Sequence, residues 1–324
     1  MRVHLIYILI IACVIVNGCK SHISPEEDTP EIINRFDLAV LDYPTFDSEA
    51  RQKFINRYND VIILLPSIES QSDSSLTKYS NSRGVRQFTA DIVTRFTMQD
   101  SIDPILYHII KNLQNTLPAT KDRKVYGIVS TYNQSIILND STLLLGLNHY
   151  LGNDYPGYEY FDRYLRHTKT PAHLPYDFTE AIIKSDYPYQ PTVEQPDLLS
   201  RMLYEGAVLY IIQTIMPQSH EEEVLGYTMA DFEWLQKNEK EIWKELVEHR
   251  LLYSTDPMIA TRLIDPAPHS SILTHDAPGR AARYIGYRII AAYMEHNSST
   301  SLEGLLSPKF YCSFSTLLNA AYNP

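Results

Sequence analysis

The chain has 324 residues, with 28 Lys plus Arg against 39 Asp plus Glu, a formal charge of −11. A hydrophobic fraction of 44% with 21% charged residues describes a globular protein with a sizeable core, not a disordered chain. The acidic balance excludes a nucleic-acid binder held by a basic footprint, three Cys exclude a disulfide-dense scaffold, and 11 Gly argue against a multi-glycine phosphate loop.

Residues 1–18 read as an export signal, with Arg2 ahead of an apolar run from Val3 to Val16 and the small residue Gly18 at the end. The run is shorter than the about 20 apolar residues of a membrane span. Val16-Asn17-Gly18-Cys19 resembles the bacterial lipobox. There Cys becomes the first mature residue, because its thiol carries diacylglycerol as a thioether. Cys13 follows Ile-Ile-Ala and is a second lipobox-like site, and an uncleaved N-terminal anchor is the third reading. Cleavage before Cys19 leaves Cys312 as the lone thiol, read as a core residue beside Tyr311 and Phe314. Two or more acyl chains anchor a protein stably, so Cys19 ties an anionic domain to a membrane without a basic patch. Residues 19–34 are read as a tether rich in polar residues and Pro, and 35–324 as one domain.

Within that domain, Arg35–Asp42 alternates as a strand, and Asp47 caps a helix with Phe54, Ile55 and Tyr58 on its apolar face. Residues 66–82, rich in Ser, Asn and Asp, read as a loop. Residues 84–117 read as a helix in two pieces, broken near Asp100–Pro104. Val125–Thr131 and Ser135–Leu138 suggest a hairpin, after which Asp140 or Ser141 caps a helix ending at Gly152. Residues 153–196 carry many Pro and Tyr and read as loops and short helices. Asp197 opens the most apolar helix, closed by Pro217. Further helices are expected from Thr228 to about His249, from Asp256-Pro257, from Asp276–Pro278 to about His296, and over 315–321. The pattern predicts an α+β fold, mostly helical, with a small early β-sheet.

Familiar catalytic signatures are missing. A zinc peptidase helix needs His-Glu-x-x-His, but after His220-Glu221 the second His position holds Val224. The pairs His167/His173 and His269/His275 are six apart in Pro-containing segments, with no third ligand in sequence reach. There is no G-x-S-x-G elbow, Walker loop or dinucleotide fingerprint. No metal and no cofactor is expected.

Two polar features stand out. In the apolar helix 198–216 the only charges are Arg201 and Glu205, four apart on one face. They are either a structural pair or, through Glu205, the working carboxylate of a site. Gly206 in mid-helix suggests the close approach of another backbone. In the segment Pro278–Met294, small residues at 279, 282 and 286 let the helix lie close to a neighbour, with Gly286 a candidate to face Gly206. Arg280 and Arg283 at its start can bind an anion, pair with Glu205, or sit on a solvated face.

These segments carry a resemblance. Leu143–Gly152 followed by Asn153-Asp154-Tyr155-Pro156, then Leu198–Tyr210, Gly226-Tyr227-Thr228 and Asn238–Trp243, resemble the gliding motility-associated lipoprotein GldB family of Bacteroidetes. Leu251–Pro257, the Pro278-Gly279-Arg280 helix and the ending Leu317–Pro324 continue it, so with the lipobox it spans the chain in order. The resemblance implies a lipoprotein of the cell envelope, facing the periplasm from the inner or outer membrane, associated with gliding and with type IX secretion machinery. It also implies a distant likeness to gluzincin-type predicted zinc peptidases, in which Glu205 would match the third metal ligand. Without a His-Glu-x-x-His helix, the expectation is a gluzincin-peptidase-like fold that has lost its metal.

Three functions follow as expectations. The first is a non-enzymatic, lipid-anchored protein that binds other envelope proteins. The second is a divergent hydrolase using Glu205, with Arg280 or Arg283 as an anion clamp. The third is a glycan- or peptidoglycan-binding lipoprotein, for which the Tyr residues at 150–164 and 176–189 would supply stacking faces.

Overall fold

Leu143, Leu144 and Leu145 are fully buried, and the sheet is built outward from their strand. The computed structural model describes residues 31–96 and 102–324. The expected signal, Cys13, Cys19 and most of the tether lie outside the described residues. Four strands, β1 (Ile33–Arg35), β2 (Lys124–Ile128), β3 (Ile136–Leu138) and β4 (Thr142–Gly146), pair in the order β1-β2-β4-β3. The first two pairings are parallel, with Val125 beside Leu143, and β3 runs antiparallel to β4.

The expected hairpin therefore forms one strand later than the sequence suggested. It joins β3 to β4, and Asn139 makes its turn by accepting from the backbone N–H groups of Ser141 (3.0 Å) and Thr142 (2.9 Å). The helix expected after Asp140 or Ser141 is instead β4. All five of its residues are buried. Such a strand reads as an unbroken apolar run, which periodicity cannot tell from a helix.

Two more expectations are corrected at the N-terminal end. The strand over 35–42 is β1 only at Arg35. Phe36 and Val40, both fully buried, are four apart on one helical face, and Phe36–Ala39 forms the short helix α1, followed by a tight 3-10 segment. After α2 (Ser48–Arg57), capped as expected by Asp47, and α3 (Asn59–Leu64), the supposed loop 66–82 contains α4 (Asp73–Asn81). Ser72 caps α4, Leu76 and Tyr79 are buried, and the Tyr79 hydroxyl donates to the Val129 carbonyl at 2.7 Å. Tertiary packing overrides a composition that favours turns. Next come α5 (Arg83–Phe96) and α6 (Ile102–Thr116), the two pieces expected. Helices α1, α3 and, later in the chain, α8 lie against β2, β4 and β3.

Beyond the sheet the chain is helical. The short α7 (Arg163–Arg166) leads to α8 (Leu174–Asp186), a thirteen-residue helix where loops and short helices were expected. Arg123, beside β2, donates to the Asp186 carboxylate (2.8 Å), and both side chains are buried, so α8 is tied to the sheet. The apolar helix is α9 (Leu198–Ile215), capped by Asp197, with fourteen of its 18 residues buried. Hence α9 is the central element, contacted by α8 and by α10 (Glu221–Leu225), α12 (Pro257–Ile264), α13 (Ala281–His296), α14 (Leu302–Leu305) and α15 (Pro308–Tyr311). Between them runs α11 (Met229–Glu248), capped by Thr228, and α16 (Phe314–Ala320) closes the domain. The last long helix starts three residues later than expected, because Arg280 occupies the left-handed region and becomes its N-cap. Cys312 is free and half-buried. The fold is the α+β single domain expected, mostly helical with a small sheet early in the chain.

α9 and α13 cross backbone to backbone. A Cβ on Gly206 would lie 2.3 Å from the Gly286 carbonyl, and a Cβ on Gly286 would lie 2.1 Å from the Met202 carbonyl oxygen. Neither position has room for a methyl group without moving a helix. The variant Gly286→Ala should lose about 3 kcal/mol of stability, the upper end of overpacking costs. Urea denaturation measures it, and an unchanged midpoint would contradict so close a crossing.

Candidate functional site

The crossing of α9 and α13 sets two charged pairs of residues beside α8. Asp177, Glu180 and Lys184 recur along one face of α8, Arg201 and Glu205 lie one turn apart on α9, and Arg280 and Arg283 flank the start of α13. Asp265, just past α12, and Ile136 from β3 complete a cleft of about 400 Å³.

Most of its charges meet inside a short radius. The Lys184 ammonium donates to both oxygens of Glu205 (2.7 and 3.0 Å) and touches Glu180 at 2.8 Å. The Arg283 guanidinium lies 2.6 Å from Glu180 and 3.2 Å from Glu205. These two Arg283 contacts are within ion-pair distance, yet its Nε and Nη2 make no hydrogen bond of acceptable angle. Charge rather than directed hydrogen bonding holds that guanidinium. Arg201 stands at the rim, 3.9 Å from Glu205 and 3.6 Å from Asp265.

Burial decides which of these contacts matter. The Glu205 and Arg283 side chains are 5% and 7% exposed, whereas Arg201 is 39% exposed. Rim pairs contribute about 0–1 kcal/mol, while stripping one partner from a buried pair costs about 3–5 kcal/mol. Burial alone would raise the Glu180 carboxyl, but the Arg283 and Lys184 charges outweigh it and hold Glu180 well below the usual carboxylate range. The carboxylates at the centre are neutralised in place.

The sequence reading placed Glu205 correctly on an inward face, and the pair with Arg201 that it named is present but long. Arg201 reaches it only at the rim, and its close partners are Lys184 and Arg283. The expected pairing of Arg283 with Glu205 is present, whereas among the described residues the Arg280 side chain forms no ion pair. Glu180 and Lys184 were missed, because they become neighbours of Glu205 only once α8 is a helix. Their i, i+4 spacing was a visible signal. The Tyr residues proposed as stacking faces are largely spent on packing. Tyr150 and Tyr158 are fully buried, and the Tyr158 hydroxyl accepts from Leu151 N–H and donates to the Asn148 carbonyl, although Tyr160 is 89% exposed. Among the described residues no group of three or more His, Cys, Asp or Glu side chains is arranged to hold a metal ion.

Behind the cleft, Asp177 accepts from the Tyr150 hydroxyl at 2.9 Å and pairs with His173 at 3.4 Å. Lys169 lies over the Tyr150 and Phe161 rings and 3.5 Å from His149 Nδ1. The His149 ring is buried, with Nε2 2.9 Å from the Thr131 carbonyl, so the neutral tautomer that donates from Nε2 satisfies both neighbours. Burial, then the Lys169 charge, push His149 down to about 4.

The family model described as gliding motility protein GldB matches residues 20–324, nearly the whole chain, and the chain belongs to that family. It is thereby a gliding motility-associated protein of the cell envelope. No curated protein and no solved structure matches it.

The low His149 value makes stability pH-dependent in one direction. Below about 6.5 the unfolded chain takes up a proton at this ring that the folded chain refuses until about 4. Stability present above 6.5 is therefore lost as pH falls through that window, by on the order of 3 kcal/mol at full exchange. Urea denaturation at pH 7 and pH 4.5 should show a steeper loss for the natural chain than for His149→Gln. Equal losses would show that His149 is not held neutral.

Proposed function

We propose that this member of the GldB family is a non-catalytic, lipid-anchored protein of the cell envelope. Its acyl chains are on Cys19, and its folded domain binds other envelope proteins of the gliding or type IX secretion machinery. The observation that carries the non-catalytic reading is the state of Glu205. Both its oxygens are held by Lys184, and Arg283 sits between it and Glu180. A general base needs a carboxylate free to take a proton, and a metal ligand needs a free lone pair directed at the ion. Here two cations fill the space between the two carboxylates.

The anchor reading rests on Val16-Asn17-Gly18-Cys19 and on the family. Among the described residues no helix is long and apolar enough to cross a membrane. With a net charge of −11 the chain gains nothing from anionic headgroups, which favours acyl chains over surface charge as the attachment.

Fractionation of cells expressing Cys19→Ala tests the anchor. The variant should move from the membrane fraction to the soluble envelope fraction and lose incorporation of labelled palmitate. Full membrane retention without label would reject lipidation as the means of attachment.

A further inference from the structure

The pairing in the cleft is uneven. Its walls carry four cations, Lys184, Arg201, Arg280 and Arg283, and four carboxylates, Asp177, Glu180, Glu205 and Asp265. Three of the cations touch carboxylates, and Asp177 is held from behind by Tyr150 and His173. Among the described residues, Arg280 is the one of these cations that touches no carboxylate, and its guanidinium forms neither an ion pair nor a hydrogen bond with any of them. It stands where the cleft meets a second cavity of about 210 Å³ that runs past Tyr227 and Gly279, so it has open space beside it.

The backbone holds Arg280 there at a cost. Its φ is +62°, in the left-handed region, which disfavours a residue with a Cβ by about 1–2 kcal/mol. Gly279 before it packs against Ala267, where a Cβ would come 1.9 Å from the carbonyl oxygen. The Tyr227 hydroxyl donates to the carbonyls of Gly279 (3.1 Å) and Arg280 (3.0 Å) and fixes the turn. Strain that the surroundings over-determine, placed at the mouth of a cavity, marks a positioned functional group. Burial and the Arg283 charge lower Arg280 from its ordinary value, and the more distant Tyr227, Glu180 and Asp177 groups offset them only in part.

We infer that the cleft binds the carboxylate terminus of a short peptide, clasped by the free fork of Arg280. The planar guanidinium takes a carboxylate through two parallel N–H···O bonds. A doubly charged phosphate fits less well, because Asp177 and Glu180 line the same walls and repel it. The same acidic groups suit the N–H donors and ammonium of a peptide, and Ile136, Ala181 and Ile264 offer apolar wall between. A volume of about 400 Å³ sits at the small end of ligand pockets, which span about 300–1,000 Å³. This inference does not depend on the lipid anchor or on the machinery served.

The test is isothermal titration of the full chain in detergent with three probes: tri-alanine, tri-alanine amide and inorganic phosphate. Tri-alanine should bind, the amide should bind at least tenfold more weakly, and phosphate should bind more weakly than tri-alanine. Arg280→Asn, which keeps a residue tolerant of the left-handed region, should weaken tri-alanine at least tenfold. Arg280→Lys should fall between, keeping the charge without the fork. No heat with tri-alanine, equal binding of peptide and amide, or tighter phosphate would overturn the inference. So would undiminished binding by Arg280→Asn. If that variant does not fold, the peptide–amide comparison on the natural chain and the Lys variant still decide.

Discussion

The architecture depends on one contact, the crossing of α9 and α13 at Gly206 and Gly286. Two helices normally pack with axes 8–10 Å apart, separated by side chains. Here the backbone of each fills the place where the other's Cβ would be. A mid-helix glycine lowers helix stability by about 1 kcal/mol, and α9 and α13 each carry one. The compensation is burial: α9 becomes the element on which much of the helical body packs, with fourteen of 18 residues inside.

That crossing also explains the charge at the centre. Glu205 directly precedes Gly206, and Arg283 lies three residues, nearly one turn, before Gly286. Bringing the glycines together brings these two buried side chains within 3.2 Å. Such charges are tolerable inside a protein only when paired, and α8 adds Glu180 and Lys184 to close the set. A cleft of this kind is well suited to recognition. Its charges are fixed in number and position before any ligand arrives, so little is lost to reorganisation on binding.

The long, strongly patterned helices were legible from sequence, and so was the close approach of Gly206 and Gly286. Caps at Asp47, Asp197 and Thr228 were read directly, because the N-cap chemistry is local. Glu205 was recognised because a lone acidic residue inside an apolar helix demands a partner. The partners were legible only in part. Arg283, 78 residues away, was among the candidates because it starts the helix that Gly286 brings to Gly206, whereas Lys184, 21 residues away on α8, is joined to Glu205 only by tertiary packing. The sheet was misread for a related reason. β4 is buried on both faces, so its sequence has no alternation, and the hairpin partner of β3 was assigned to the wrong side. α4 was hidden by its Ser and Asn content, and the buried pair Leu76 and Tyr79 was too short a signal to counter it.

The central claim is that Glu205 is a carboxylate held by buried charge, placed by the helix crossing rather than kept free for chemistry. A double-mutant cycle between Glu205→Gln and Arg283→Met, read by urea denaturation, tests it directly. The account predicts that each single change costs about 3–5 kcal/mol and that the pair is coupled by about 2–3 kcal/mol, the double variant recovering part of the loss. A coupling near zero, with Glu205→Gln as stable as the natural chain, would contradict it.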